Sequence, residues 1–411
     1  MKLVFVNHCH PATPHVCATR MREFASAMTL LGHEVILLTE TISGVRAKIK
    51  PEEIKAAILA HNFNSPLYLA IEPKGHPLIK RFRDNKLPWG IRQAVVIWYF
   101  LYHKGVYTDW RTGSQSYLTA IAESFKPDLV WATFLNTDAW NIAIDLAKIS
   151  KIPWVGDIKD SWQVYIPRSF RKYLANYFDS CVALSTFSHF NSIDAQKWFS
   201  SPKTVIYSGF WADHLDPTNE ISMDNINISL TGGIYDNYSL NQLVQGIKIW
   251  LEGLPQEERS KVCVSYAGND TALVNKATEK LSNLCRINLL GFISIEELKK
   301  IHQISIANLY VKINRGFHHK TIEILSAGRP IICYPKESDE VINIARATNI
   351  DLHSCSTPLE ISNALSESIN TKSNEVGKNK ALEELTWNSQ AKKLENLFKT
   401  ILSNSVTGSS S

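Results

Sequence analysis

The 411-residue sequence has neither a long apolar run nor a recognisable leader. Its longest strongly apolar stretch runs from Ala94 to Tyr102, far short of the ~20 residues that a helix needs to cross a bilayer. The opening, MKLVFVNHCHP, is too short an apolar run to act as a signal peptide. We therefore expect a cytoplasmic protein.

The cysteines do not indicate a disulfide framework or a zinc site. They number seven, an odd count, and no two form a C-x-x-C pair. Disulfide scaffolds and zinc sites both depend on regular cysteine spacing, so neither is indicated. We expect reduced thiols in the core, at Cys9, Cys17, Cys181, Cys263, Cys285, Cys333 and Cys355.

Positive charge is concentrated in one segment, residues 78–111. Its seven bases and two acids give a net charge of +5, equal to that of the whole chain. Large amphipathic rings are interspersed with these bases, a mixture that suits the headgroup layer of an anionic membrane. The alternative is a core helix with a solvated basic flank. Nucleic acid is a weaker third choice, because no known binding motif accompanies the patch.

Short apolar runs alternate with helical patterns along the chain. Such runs predict strands buried on both faces of a parallel sheet. The first half contains runs at 2–6, 34–38, 66–71, 128–133, 153–157, 180–184 and 203–207, and the second at 227–231, 262–268, 287–291, 306–311 and 330–334.

This repetition predicts two domains, which the chain length also favours. We expect an N-terminal Rossmann-like domain at 1–212, a C-terminal one at 213–386, a last helix at 387–403 that packs back on the first domain, and a disordered tail at 404–411. Ligands of doubly wound sheets bind beyond the carboxyl ends of the strands, so a cleft between the domains is the expected site.

Five motifs in order carry a family resemblance. They are HPATPHVCATRMREFASAMTLLGHEVILLT, IPWVGDIKDSW, SPKTVIYSGFWADHL, NLLGFISIEELKKIHQISIANLYV and KTIEILSAGRPIICYP. Together they resemble retaining glycosyltransferase family four, especially the bacterial enzymes that build O-antigen, capsule or lipopolysaccharide. The resemblance implies an α/β GT-B fold, with two Rossmann-like domains facing a central cleft.

The same resemblance implies a function. The expected reaction is transfer of a sugar from a UDP- or GDP-sugar to a growing, lipid-linked surface glycan, with retention of anomeric configuration. The implied partners are the nucleotide sugar, the lipid-linked acceptor and, through residues 78–111, an anionic membrane surface, without nucleic acid. We expect a peripheral protein at the inner face of the cytoplasmic membrane, with no cofactor and no obligatory metal.

Lys320 and Glu323 form the centre of the predicted donor site. The leaving phosphate needs a fixed cation, and a carboxylate one turn later on the same helical face is able to accept both ribose hydroxyls. In the family the matching lysine binds phosphate and the matching glutamate binds ribose. The alternative is an ordinary exposed Lys/Glu pair.

Glycine-bearing loops complete this predicted donor site. Gly232 and Gly233 allow close backbone approach to a phosphate, yet the following loop carries no arginine or lysine where the family often has both. Arg315 is a candidate replacement cation. The other predicted donor contacts are Tyr235, Gly268, Gly291, Phe292, His318 and His319.

The first domain should border the acceptor. Asp157 and Asp160 follow or end a predicted strand, where a carboxylate can orient a hydroxyl or act as a base; a capping role is the alternative. With Lys320 they are the predicted catalytic residues. His10, His15 and Arg20 are the predicted acceptor contacts, and H-x-H spacing without a carboxylate cluster does not predict a metal.

Other functions remain open from the sequence. The base-poor loop after Gly233 favours a GT-B transferase that uses a CMP-activated acidic sugar. A nucleotide-sugar epimerase of the same architecture and a non-catalytic partner subunit are further alternatives, because fold alone does not fix function.

Overall fold

The chain forms two compact units in the computed structural model, which describes residues 1–42, 50–212, 224–312, 316–370 and 379–407. The first unit combines Met1–Tyr207 with Trp387–Ser411, and the second is Ser208–Thr386.

The first unit is built on a parallel sheet. Its described strands are β1 (Lys2–Asn7), β2 (Glu34–Glu40), β3 (Leu67–Ile71), β4 (Leu129–Phe134), β5 (Trp154–Ile158), β6 (Ala183–Thr186) and β7 (Lys203–Val205). They lie in the order β3-β2-β1-β4-β5-β6-β7. Every residue of β4 and β5 is buried, as expected for strands covered by helices on both faces. The predicted strands of this half are confirmed.

Helices surround this sheet. They are α1 (Val16–Leu30), α2 (Pro51–Ala60), α3 (Pro77–Arg83), α4 (Trp89–Trp98), α5 (Asp109–Phe125), α6 (Thr137–Ser150), α7 (Trp162–Tyr165), α8 (Arg171–Phe178) and α9 (His189–Gln196), with a π-helical turn at Tyr99–His103 and a 3-10 turn at Arg168–Phe170. In α1 the apolar residues Met21, Phe24, Ala25 and Met28 are buried, and Gly32, which follows the helix, has a left-handed φ of 85°.

The second unit repeats the plan. Its strands are β8 (Ile226–Thr231), β9 (Val262–Ala267), β10 (Arg286–Gly291), β11 (Ser305–Val311), β12 (Ile331–Tyr334) and β13 (Leu352–Ser354). Their order is β10-β9-β8-β11-β12-β13, all parallel. The five predicted strands of this half are confirmed. The sixth, β13, was not predicted, because its sequence LHS has no apolar run.

Helices also flank the second sheet. They are α10 (Asn237–Gly253), α11 (Gln256–Arg259), α12 (Thr271–Thr278), α13 (Ile295–Ile304), α14 (His319–Leu325), α15 (Asp339–Ala347), α16 (Pro358–Asn370) and α17 (Lys380–Glu383), with a 3-10 turn at Glu279–Leu281. Helix α10 begins at Asn237, because the Asp236 carboxylate accepts hydrogen bonds from the N–H groups of Tyr238 and Ser239.

The last helix, α18 (Trp387–Thr407), belongs to the first unit. Its Trp387 ring lies 5.2 Å from Phe24 of α1, and its Gln390 accepts a hydrogen bond from the Tyr207 N–H. Residues 404–407, assigned to the tail from sequence, are therefore helical, and residues 408–411 lie outside the described ranges.

Candidate functional site

The strand order of the second unit defines a switch point between β8 and β11. From β8 the chain goes to β9 and β10 on one side, whereas β11, β12 and β13 follow on the other. The loops after β8 and β11 therefore diverge at the carboxyl edge of the sheet. In open α/β sheets this divergence leaves the crevice in which ligands bind.

Three glycines meet at this edge. Gly232 follows β8 with a left-handed φ of 89°, which a residue with a Cβ adopts only under strain. A Cβ added to Gly268 would lie 2.3 Å from the Tyr266 hydroxyl oxygen and 2.8 Å from the Gly232 carbonyl oxygen. Gly268 also donates its N–H to the Gly291 carbonyl at 2.9 Å. The structure thus brings together Gly232, Gly268 and Gly291, three of the predicted donor contacts.

Lys320 lies against the first of these glycines. Its Nζ would be 3.3 Å from a Cβ built on Gly232, and it donates a hydrogen bond to the Val311 carbonyl at 2.9 Å. The ammonium is also 5.1 Å from the centre of the Tyr310 ring. Tyr310 and Val311 are the last two residues of β11, and Gly232 follows β8. The Lys320 ammonium therefore lies between the ends of these two strands. It is partly buried, which contradicts the alternative of an ordinary exposed pair.

Burial changes the acid–base behaviour of this lysine. Loss of water around the ammonium lowers the pKa of Lys320 to about 8, while the Glu337 carboxylate opposes the shift. The amine is therefore still mainly protonated at neutral pH. A cation that lies at the carboxyl edge next to a glycine is suited to bind a phosphate.

The remaining predicted donor residues differ in how far they are buried. Glu323 is half-buried one turn after Lys320, and His318 is the half-buried residue before α14. Tyr235 and Phe292 are exposed by 69% and 64%, and the Tyr235 ring approaches Gly233. His319 begins α14. Arg315 lies outside the described residues.

In the first unit, two predicted site residues pair with each other. The Arg20 guanidinium makes two hydrogen bonds to the Asp157 carboxylate, at 3.1 and 2.8 Å, and both side chains are fully buried. Thr133 and Ser185 donate to the same carboxylate, at 3.1 and 2.7 Å. Four hydrogen bonds and complete burial leave this pair no surface for a substrate, so its role in this structure is to join α1 to the sheet.

Asp160 has a different environment. It follows β5 and is half-buried. Burial raises the pKa of its carboxyl, and the neighbouring Lys159 opposes that shift. Lys159 also donates to the Cys17 thiol sulfur at 3.1 Å. A carboxyl with a raised pKa at the edge of a sheet has the properties of a general base.

The histidines of the first loop are held by local hydrogen bonds. His15 caps α1 by accepting from the Cys17 N–H at 3.2 Å, and His10 accepts from the Ala12 N–H at 3.1 Å. Burial lowers the pKa of His10 and lowers that of His8 to about 4. Across the described ranges, no group of three or more His, Cys, Asp or Glu side chains is arranged to hold a metal ion.

Many basic and aromatic side chains of residues 78–111 are exposed, and together we call them the basic aromatic surface. Of the ten residues of α4, only Val95 is buried, whereas Trp89 and Trp98 are exposed by 78% and 53%. This contradicts the alternative of a core helix for α4. Three of the bases are held in ion pairs, Arg83 with Asp109, Arg111 with Asp145 and Lys86 with Asp84. The exposed bases include Lys80, Arg81 and Lys86. In the described part of the chain, no helix is long and apolar enough to cross a membrane.

Sequence reasoning missed two residues beside Lys320. Tyr310 and Glu337 are buried and hydrogen-bonded to each other at 2.8 Å, although 27 residues separate them. Tyr310 lies inside an apolar run, where a polar contact cannot be recognised from the sequence pattern. The available signal was a glutamate three residues after a buried strand, since the carboxyl edge is where such sites lie.

Comparison with known proteins places the chain by its structure. No family model and no curated protein matches the sequence. The chain is similar in structure to a glycosyltransferase from Rickettsia africae (13% identity, TM-score 0.66, covering 98% of this chain and 99% of that one). It is also similar to sucrose-phosphate synthase from Thermosynechococcus elongatus (13%, 0.65, 98% and 99%) and to HepE from Anabaena, solved with UDP and glucose (12%, 0.61, 97% and 99%).

At sequence identities this low, the similarity shows a shared fold. The similarity extends over nearly the whole of each chain and therefore includes both units. With a parallel Rossmann-like sheet in each unit, the chain has the GT-B fold.

Proposed function

We propose that the protein is a glycosyltransferase that moves a sugar from a UDP- or GDP-sugar to a lipid-linked bacterial surface glycan. The observation that carries this proposal is the Lys320 ammonium, which lies against Gly232 at the switch point of the second sheet. The departing nucleotide accumulates negative charge on its phosphates, and this cation is positioned to stabilise that charge.

The rest of the donor is bound by neighbouring residues in this proposal. Glu323, one turn after Lys320, accepts the ribose hydroxyls, and the Gly232 and Gly233 backbone lies along the diphosphate. The exposed rings of Tyr235 and Phe292 line the edge where the base and sugar bind. HepE, which shares the fold, was solved with UDP and glucose; this supports the choice of donor class.

For the acceptor we assign Asp160 as the carboxylate that orients or deprotonates the attacking hydroxyl, with His10 and His15 in the adjacent loop. Its raised pKa favours this assignment over Asp157, whose carboxylate is occupied by Arg20. Retention of configuration is part of the proposal and is supported by the resemblance of KTIEILSAGRPIICYP to the retaining family.

A lipid-linked acceptor requires the enzyme to reach a membrane. We assign this contact to the basic aromatic surface, at the inner face of the cytoplasmic membrane. Exposed tryptophan and tyrosine rings favour the headgroup region, and exposed lysine and arginine are attracted by anionic lipids. Reversal of these charges should therefore reduce binding to anionic liposomes.

The direct test of function is a transfer assay with a panel of nucleotide sugars and lipid-linked acceptors. We expect nucleotide release that depends on one UDP- or GDP-sugar and on acceptor, and we expect Lys320→Ala to abolish it. Near-normal rates in Lys320→Ala would refute the site. Conversion of the nucleotide sugar without acceptor would indicate an epimerase, and absence of both turnover and binding would indicate a non-catalytic subunit.

A second candidate is a transferase that uses a CMP-activated acidic sugar. The observation that favours it is the loop after β8, where Tyr235 is exposed and Asp236 caps α10, so that no arginine or lysine of this loop faces a second phosphate. Thermal shift with CMP, UDP and GDP separates the two candidates, since only the nucleotide of the true donor should raise the melting temperature.

A further inference from the structure

The Lys320 ammonium is supported by a buried chain of polar contacts that the proposed function does not use. The Tyr310 hydroxyl donates to the Glu337 carboxylate at 2.8 Å. Tyr310 is fully buried and Glu337 is 7% exposed. The Lys320 Nζ lies over the same tyrosine ring, 5.1 Å from the ring centre. The three side chains therefore form a continuous path from carboxylate to ring to ammonium.

The carboxylate at the start of this path is fixed in place. The Ser338 N–H donates to its second oxygen at 2.7 Å, and the Glu337 N–H donates to the Ser354 hydroxyl at 2.8 Å. Lys312, directly after β11, approaches it at 3.6 Å. Hydrogen bonds to both oxygens fix the orientation of this buried carboxylate.

A cation in this position needs such support. Burial lowers the pKa of Lys320, and the groups that oppose the shift are Glu337 first and Cys333 second. Burial also raises the pKa of the Cys333 thiol to about 12, so the thiol is neutral at physiological pH. The Glu337 carboxylate, three residues after β12, is thus the group that most favours the ammonium.

We propose that Tyr310 and Glu337 are positioning residues that hold the Lys320 side chain, in its charged form, against Gly232 at the nucleotide-binding edge. The proposal rests on the proposed function, because it assigns Lys320 to the donor phosphates. Neither Tyr310 nor Glu337 touches the substrate in this account; both act through the lysine.

The physical basis is a cation–π contact strengthened by a hydrogen bond. An aromatic face attracts an ammonium through its quadrupole, and the attraction grows in a desolvated site. A phenol that donates to a carboxylate becomes more electron-rich, because hydrogen bonds in a chain polarise one another. The Val311 carbonyl, 2.9 Å from Nζ, then fixes the direction of the side chain.

The test measures the pKa of Lys320 directly in the full chain. Protein labelled with carbon-13 at the lysine ε-carbon is titrated by NMR, and the signal is assigned by its loss in Lys320→Arg. We compare wild type with Tyr310→Phe, which removes one hydroxyl and keeps the ring, and with Glu337→Gln. Glu258→Gln, an exposed position of the same unit, is the matched control for the loss of one negative charge.

We expect the pKa of Lys320 to fall by roughly one unit or more in Glu337→Gln and by less in Tyr310→Phe, with no change in Glu258→Gln. UDP affinity measured against pH should then be lost at lower pH in both variants, because the ammonium is deprotonated earlier as pH rises.

An unchanged Lys320 pKa in folded Tyr310→Phe and Glu337→Gln would overturn the proposal, whether or not UDP binds. If Glu337→Gln does not fold, Tyr310→Phe alone decides. A lowered pKa in protein that binds no nucleotide would instead leave the contact chain standing and refute the proposed function, so the two failures are distinguishable.

Discussion

At the scale of single residues, Arg20 and Asp157 form a buried ion pair that stabilises the first unit. The guanidinium donates twice to the carboxylate and once to the Ile206 carbonyl at 2.9 Å, and it lies over the rings of Phe24 and Trp131. These partners belong to the first unit. The pair thus ties α1 to β5 and to the chain after β7.

Loss of one member of this pair should be costly. We expect Asp157→Ala to lower the free energy of unfolding by about 3–5 kcal/mol, because the buried guanidinium is left without its counter-charge. Urea unfolding followed by circular dichroism measures the change. Glu123→Ala, which breaks the exposed Lys55–Glu123 pair, is the matched control and should unfold near the wild-type midpoint. Equal midpoints for both variants would contradict the structural role.

Asp160 should instead affect turnover. Its pKa is raised by burial, and only the carboxylate is able to act as a base. Activity should therefore be lost as pH falls through a value above that of an ordinary aspartate. We expect Asp160→Asn to lower kcat by at least about 100-fold and to leave nucleotide affinity unchanged. A full rate in Asp160→Asn, or an acid limb that persists in that variant, would exclude it as the base.

At the scale of elements, apolar runs predicted the strands because both faces of each sheet are covered. β4 and β11 are fully buried, and their sequences are almost continuously apolar. The predicted strand ends were wrong where hydrogen bonds, rather than burial, determine the first residue of the strand. The strand predicted at 180–184 begins only at Ala183, because the Cys181 N–H still bonds the Phe178 carbonyl at the end of α8.

The candidate site was less predictable than the fold. The position of Lys320 at a carboxyl edge followed from its place between two buried strands. Its contacts with Tyr310 and Glu337 did not, because they join residues from different elements. Arg20 and Asp157 show the same limit: a charged residue near a strand end gives no sequence signal of whether its partner is a ligand or another side chain.

The helices α3 and α4 carry the prediction for membrane binding. The triple variant Lys80→Glu, Arg81→Glu, Lys86→Glu should bind liposomes that contain phosphatidylglycerol at least about 100-fold less tightly, since each base near an anionic surface contributes to binding. Arg83 is left unchanged, because its ion pair with Asp109 joins α3 to α5, whereas the Lys86–Asp84 pair is exposed and local. Flotation in a density gradient measures the bound fraction.

The control for that experiment is Lys148→Glu, Lys276→Glu, Lys300→Glu, which reverses three exposed charges outside residues 78–111. It should float with the same liposomes as wild type does. Trp89→Ala tests the aromatic contribution separately, because this ring is 78% exposed and its loss leaves net charge unchanged. Equal flotation of wild type and the α3/α4 triple variant would contradict the assigned surface.

At the scale of the whole molecule, each unit has its own parallel sheet and its own hydrophobic core. The chain passes from the first unit to the second near Ser208 and returns for α18, which packs on α1 through Trp387 and Phe24. We propose that the carboxyl edge of the second unit binds a nucleotide through Lys320.

Calorimetric titration of UDP, GDP and CMP into the full-length protein measures this nucleotide binding. We predict saturable binding of one nucleotide, weakened about 10- to 100-fold in Lys320→Ala, because a charge-assisted contact to phosphate is lost. The same nucleotide should bind normally to Lys276→Ala, which removes an exposed lysine of the same unit. Equal affinity in wild type and Lys320→Ala, or no binding of any of the three nucleotides, would contradict the account.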